Sequence, residues 1–209
     1  MLNNLSLHDL VILIVSIIVS MSFHEAMHGF VAHWLGDDTA KLEGRLTLNP
    51  LKHIDLYTTV IIPVVLVLMH IPPFFVAKPV PFNPYKVRFG DYGAALVGLA
   101  GPLTNLILAA LAGLFVRFDT QLSAGTLNLV LIFFEVNVGF FVFNMIPFPP
   151  LDGSRVLYAF APDGVRDVMQ KIESLGFLTI LLFMFLLFPV ISPIIGHVDS
   201  WLITFILGQ

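Results

Sequence analysis

Residues 7–35 read LHDLVILIVSIIVSMSFHEAMHGFVAHWL. Apolar residues cover every face of this stretch, which is longer than the roughly 20 residues a helix needs to cross a bilayer core. It lacks a basic leading region and a small-residue cleavage site, so it is expected to be a retained transmembrane helix and not a signal peptide. Its second half carries His24, Glu25 and His28. Ionisable groups at membrane depth are costly to bury and mark a functional position by default.

Composition agrees with a membrane setting. Of 209 residues, 57% are hydrophobic and 11% charged, whereas a soluble domain carries about 25% charged residues to keep its surface hydrated. An ordinary soluble enzyme is excluded, and the expected class is an all-α polytopic membrane protein. The net charge of -4, from 14 acidic and 10 basic residues with no basic run, excludes nucleic acid as a partner. With no cysteine, any metal must be held by His, Asp or Glu.

Outward from the first helix, Tyr92 to Val116 and Leu127 to Ile146 are two more stretches of spanning length, the second closed by Pro147, Pro149 and Pro150. Leu175 to Phe188, extended through Pro189 towards Ile195, makes a fourth span. Trp201 to Leu207 is too short to cross alone and is expected to form a short C-terminal interfacial helix. Leu56 to Val76 is apolar but interrupted by Pro63, Pro72 and Pro73, and an extended run, Lys78-Pro-Val-Pro-Phe-Asn-Pro84, follows it.

Loop charge decides how that piece lies. If it spans, Lys41, Arg45, Lys52 and Arg117 oppose Lys78, Lys86, Arg88, Arg155, Arg166 and Lys171, a split of 4 against 6. If it dips in and returns, the split becomes 9 against 1, with Arg117 alone on the far side. Basic loop residues concentrate on the cytoplasmic side, so segment 56–84 is expected to be re-entrant and partly extended, with the N-terminus outside. With no internal repeat, residues 1–209 are expected to form a single membrane-embedded domain, with a core at about 10–160 and C-terminal helices at 174–208.

His24-Glu25-Ala26-Met27-His28 is an H-E-x-x-H pattern. At about 100° per residue the two histidines lie one helical turn apart on one face, so both imidazoles reach a single ion and Glu25 stays free beside it. Random placement gives only ~0.005 such matches in a chain of this composition, which disfavours accident. A catalytic zinc takes three protein ligands and a water, so a third ligand is needed. Asp152 lies just past the proline cluster that ends the third span, where the chain is free of helical geometry. The re-entrant topology delivers it to the leaflet that holds His24 and His28. The alternative for Asp152 is a cap on a helix starting near Ser154. Asn144, at the last turn of the same span, is placed to donate to an oxygen near the metal, and Asn137 two turns earlier suits an interhelical hydrogen bond. Gly98, Gly101 and Asn105 share one face of the second span, a small-residue seam for close helix packing. His53 is a weak candidate from the loop. His8, His33 and His70 are read as structural, and Glu135 as too far in depth from Asp152.

The H-E-x-x-H within a spanning helix, then Gly101-Pro102-Leu103-Thr104-Asn105, then Asn144-x-x-Pro147-x-Pro149-Pro150-Leu151-Asp152-Gly153, together closely resemble the site-2 protease family of intramembrane zinc metalloproteases. The resemblance covers about residues 10 to 160, and the loop Asn49-Pro-Leu-Lys-His-Ile-Asp55 is similar to the small prokaryotic branch without PDZ or CBS domains. It implies one zinc ion held by His24, His28 and Asp152, with Glu25 as base and Asn144 at the oxyanion. It implies single-span membrane proteins as substrates, and a prokaryotic cell membrane as the location with the site towards the cytoplasm. It also implies a membrane-embedded hairpin or short sheet between the first two core helices, next to the substrate, where Ala77 to Asn83 is expected to offer an extended edge to an unwound substrate by strand addition. A zinc-binding scaffold or metal carrier would use the same ligands without hydrolysis; Glu25, which is not needed to hold zinc, argues for hydrolysis.

Overall fold

A computed structural model of the chain describes residues 6–69, 77–119 and 121–208, with backbone alone at 60, 67 and 177. Helix α1 is Leu7–Trp34. Ser6 starts it with a reciprocal capping box: its hydroxyl accepts the Asp9 N–H, and the Asp9 carboxylate accepts the Ser6 N–H. A one-turn helix α2 (Thr39–Leu42), a 3-10 turn (Pro50–Lys52), a π-helical turn (Leu56–Ile61) and α3 (Ile62–Leu68) follow. Residues 77–83 have no regular secondary structure and lead to α4 (Asp91–Phe118) and α5 (Ala124–Asn144). Two short helices come next, α6 (Gly153–Phe160) and α7 (Asp163–Ser174). Then α8 (Phe177–Leu182), a π-helical turn (Phe183–Leu187) and α9 (Phe188–Leu207) run on without a break.

Among the described residues, four helical rods are long and apolar enough to cross a membrane: α1, α4, α5 and Leu178–Leu207. The 28 residues of α1 extend about 42 Å at 1.5 Å per residue, enough for a hydrocarbon core of about 30 Å. Val11, Ile107 and Val190, on three different rods, are 54%, 59% and 72% exposed. Such apolar outer faces suit acyl chains and would be unfavourable in water.

Contacts at the rod ends fix the course of the chain. The Leu35 carbonyl, just past α1, accepts the Arg88 N–H at 2.8 Å, and Ala32, Val87 and Val97 form one buried cluster. The chain therefore leaves α1 and enters α4 on the same side, so the chain between them makes no net crossing. At the other end the Asn128 amide donates to Asp9 at 2.6 Å, which brings the starts of α1 and α5 together. Accordingly α1 and α5 run parallel, with α4 antiparallel to both. Ala109 and Ala112 of α4 pack with Phe134, Val138 and Val142 of α5 and Leu202 of α9. Small residues let helix backbones approach, which matters in lipid where packing rather than water exclusion drives association. At the end where α4 begins, Arg155 pairs with Glu173 at 2.5 Å and Arg166 with Asp91 at 3.0 Å, tying α6 and α7 to the start of α4.

Two expectations need correction. Residues 201–207 are not a separate interfacial helix; they are the last turns of α9. The fourth rod does not end towards Ile195 either, although Pro193 lies inside it. Pro193 has no N–H to offer the Pro189 carbonyl, and the Ser192 hydroxyl donates to that carbonyl at 3.2 Å instead. Membrane helices keep such prolines when neighbouring donors satisfy the freed oxygen. The second correction concerns the implied hairpin or short sheet: residues 77–83 belong to no strand, and none occurs among the described residues. His70, Pro72 and Pro73 lie outside the described residues.

Candidate metal centre

Helical periodicity places His24 and His28 on one face of α1, and their rings meet edge to face with centroids 4.7 Å apart. After α5 the chain turns through Pro147 to Leu151 and presents Asp152. Its Oδ2 lies 2.9 Å from His24 Nε2 and 3.3 Å from His28 Nε2. Asp152 does occupy the position before α6, but its side chain makes no capping bond; it faces the imidazoles instead. One ligand atom from each of the three residues lies within 4.8 Å of the others. Two atoms bound at about 2.0–2.1 Å to one tetrahedral ion stand about 3.3 Å apart, which matches this spacing.

The protons sharpen the fit. His28 Nδ1 meets the Val97 carbonyl at 2.7 Å, an acceptor, so Nδ1 carries the hydrogen. His24 Nδ1 meets Asn105 Oδ1 at 2.5 Å. The Asn105 amide nitrogen donates to the Ser20 carbonyl and to Asn137 Oδ1, which fixes the oxygen towards His24. With Nδ1 carrying the hydrogen, each imidazole in its neutral form turns an Nε2 lone pair towards the Asp152 carboxylate. Two imidazole Nε2 atoms and one carboxylate oxygen make up the donor set of a catalytic zinc site, and a zinc ion fits that set.

Gly101 makes the close approach of α4 possible. A Cβ there would lie 2.6 Å from His24 Nε2, so any side chain would crowd the ligand atoms. The seam expected for helix packing is thus also a wall of the site.

Glu25 accepts the Val80 N–H on Oε2 at 2.8 Å. It lines a cavity of about 300 Å³ together with His24, Asp152, Asn144, Ala77 and Pro79. The Asn144 amide gives one hydrogen to the Phe140 carbonyl at 3.0 Å. Other candidates lie elsewhere. His53 is fully buried under the loop and pairs through Nε2 with the Thr47 carbonyl at 2.8 Å. His33 pairs with Asp38 at 2.6 Å, His8 lies 3.9 Å from Asp9, and Glu135 is exposed on α5. None of these joins the cluster.

Comparison with known proteins adds two relatives. The chain is 39% identical over 178 residues to the "Putative zinc metalloprotease YwhC" of Bacillus subtilis, covering 81% of this chain and 78% of that protein. The chain belongs to the site-2 protease family. The "Putative zinc metalloprotease Rip2" of Mycolicibacterium smegmatis is 27% identical over 174 residues, 81% of this chain and 65% of that protein. No family model matches the chain, and no solved structure matches it.

In this site-2 protease family member the residue left without an individual role by sequence reasoning is Asn105. Asn137, expected to bridge helices, does so: its amide nitrogen donates to Ser20 Oγ at 2.8 Å and its oxygen accepts from Asn105 at 2.8 Å. Asn105 continues that chain to His24, so Ser20, Asn137 and Asn105 orient the imidazole from three helices. Both asparagines are fully buried. The available signal was the spacing of Asn105, four residues past Gly101 on the same helical face. The Val97 carbonyl, being backbone, left no signal.

Proposed function

We propose that the chain is an intramembrane zinc metalloprotease that hydrolyses peptide bonds in the transmembrane segments of single-span membrane proteins. The observation that carries this reading is a cluster of two imidazoles and one carboxylate, of which His24 and Asp152 line a cavity that also holds Glu25, a carboxylate outside the cluster. The depth of the site supports a membrane-embedded substrate. His24 lies ten residues from Trp34, about 15 Å along α1 from its end.

One zinc ion held by His24, His28 and Asp152 would supply a water acidified from ~15.7 towards ~7 and would polarise the scissile carbonyl. Glu25 takes the proton of the attacking water and passes it to the leaving nitrogen. An amide nitrogen carries two hydrogens; one of Asn144's is engaged by Phe140, and the other serves the developing oxyanion, an effect typically worth about 3 kcal/mol. Met21, Phe140, Phe143, Ile180, Phe183 and Met184 give the cavity an apolar lining suited to an unwound segment of a membrane helix. Ala77 to Asn83 offers that segment an edge, incomplete because Pro79 and Pro81 lack N–H donors.

The 9-to-1 distribution of basic residues supports a site on the cytoplasmic side, and the bacterial relatives support a prokaryotic cell membrane. The native chain has no cysteine, so single Cys replacements report orientation cleanly: Thr47→Cys and Asp163→Cys are expected to resist an impermeant thiol reagent in intact cells, and Gln121→Cys to react. Activity is tested by cleavage of single-span proteins in liposomes. Chelator is expected to abolish cleavage and added zinc to restore it. Zinc bound stoichiometrically without cleavage of any such substrate would favour the scaffold reading instead.

A further inference from the structure

Residues 79–81 read Pro-Val-Pro. Proline has no backbone N–H, so this stretch holds one donor, the amide of Val80. That amide donates to Glu25 Oε2 at 2.8 Å. We infer that Val80 is the positioning residue of the base: its N–H fixes one oxygen of Glu25 and leaves the other for the attacking water. The inference rests on the proteolytic reading above and names what holds its base in place.

The amide is itself held from several directions. The Val80 side chain is 6% exposed and seats where Gly29 has no side chain; a Cβ on Gly29 would stand 3.0 Å from Val80 Cγ1. Gly29 lies one helical turn beyond Glu25 on α1, so one face of α1 takes both the side chain and the N–H of Val80. Behind it, the Lys78 N–H donates to the His53 carbonyl at 2.9 Å, and the Arg45 guanidinium donates to the Lys78 carbonyl at 2.8 Å. Ahead of it, the Asn83 N–H donates to Asp37 at 2.5 Å. A donor anchored on both sides limits the rotamers open to the carboxylate it holds. With prolines on either side, no neighbouring amide can take its place.

Two variants remove the donor. Val80→Pro deletes the N–H, and replacing the Val80 amide by an ester, through the hydroxy-acid analogue of valine, deletes it with the side chain intact. A base displaced by a fraction of an ångström to an ångström costs on the order of ten- to a hundredfold in turnover. Both variants are expected to lose kcat by that factor, with KM within about twofold of wild type and zinc still stoichiometric. If Val80→Pro fails to fold, the ester form decides. An ester enzyme with unchanged kcat overturns the inference, as does a loss carried wholly by KM or by lost zinc, which would mark a merely structural role. Amide exchange separates this failure from failure of the proteolytic reading. Val80 carries the one exchangeable amide of residues 79–81, and Glu25→Ala is expected to speed its exchange about tenfold, whether or not the protein cleaves anything. Unchanged exchange also overturns the inference.

Discussion

The wall of the cavity that carries the imidazoles and the wall that carries Glu25 are held by different kinds of contact. On the first, side chains from three packed helices bind one another: Ser20 of α1, Asn137 of α5 and Asn105 of α4 lead to His24, and both asparagines are fully buried. On the second, side chains bind the backbone of residues 78–83: Glu25 takes the Val80 N–H, Arg45 the Lys78 carbonyl and Asp37 the Asn83 N–H. A metal site needs fixed ligands, and helices packed on helices supply them. Residues 78–83 obtain the same fixity from backbone bonds to buried partners, among them Arg45 and Asp37.

The comparison breaks most visibly at the ligands. Asp152→Ala leaves two imidazoles, which rarely hold zinc against water. We expect metal analysis to find the purified variant without stoichiometric zinc, and cleavage to fall to background. Glu25→Gln keeps both imidazoles and Asp152 but cannot accept a proton. It is expected to retain zinc while kcat falls by about 10²–10⁴. Loss of zinc together with activity would make Glu25 a ligand and erase the distinction between the two walls.

Asn105→Ala tests the imidazole wall without touching a ligand. Partners that orient a metal-bound histidine typically govern metal affinity by about 10–100-fold, and that loss is expected in a competitive zinc titration. An unchanged affinity would mean that α1 alone orients His24. The same substitution leaves the Asn137 oxygen without its donor, so a modest loss of thermal stability should accompany it.

How far the sequence revealed each wall follows from the same contrast. His24 and His28 were legible because helical periodicity converts a spacing of four into one face. Asp152 was legible because a proline cluster frees the chain just before it. Asn137 could be assigned to a helix interface, but the partner of Asn105 could not, since which buried asparagine meets which imidazole depends on the rotation of α4 against α1. The prolines at 79 and 81 showed that the extended edge lacks donors, yet nothing in the order of residues says that the remaining amide meets Glu25, more than fifty positions earlier. The fourth rod runs past the expected end towards Ile195 for a related reason: Pro193 frees the Pro189 carbonyl, and the hydroxyl that satisfies it belongs to the intervening Ser192.

The smallest expected effect lies at the far anchor of residues 78–83. Asp37 is fully buried and accepts the Asn83 N–H at 2.5 Å, the Thr39 N–H at 3.1 Å and the Thr39 hydroxyl at 2.5 Å. Burial pushes its carboxyl up, but the bonds from Thr39 and the Asn83 N–H outweigh it and hold the group below its ordinary value of 3.8. A carboxyl with a lowered folded value contributes stability above its unfolded value and loses it as pH falls through the folded one. Asp37→Asn keeps the shape and turns an amide N–H₂ towards donors, so it should cost about 1–2 kcal/mol at neutral pH. The thermal-melting gap between wild type and Asp37→Asn should stay level from pH 8 to about 5 and close as pH falls below about 4. Zinc content should not change, because the imidazole wall does not depend on this anchor. A gap that persists at low pH would mean that shape rather than charge secures residue 83, and a variant that also lost zinc would show the two walls to be one mechanical unit.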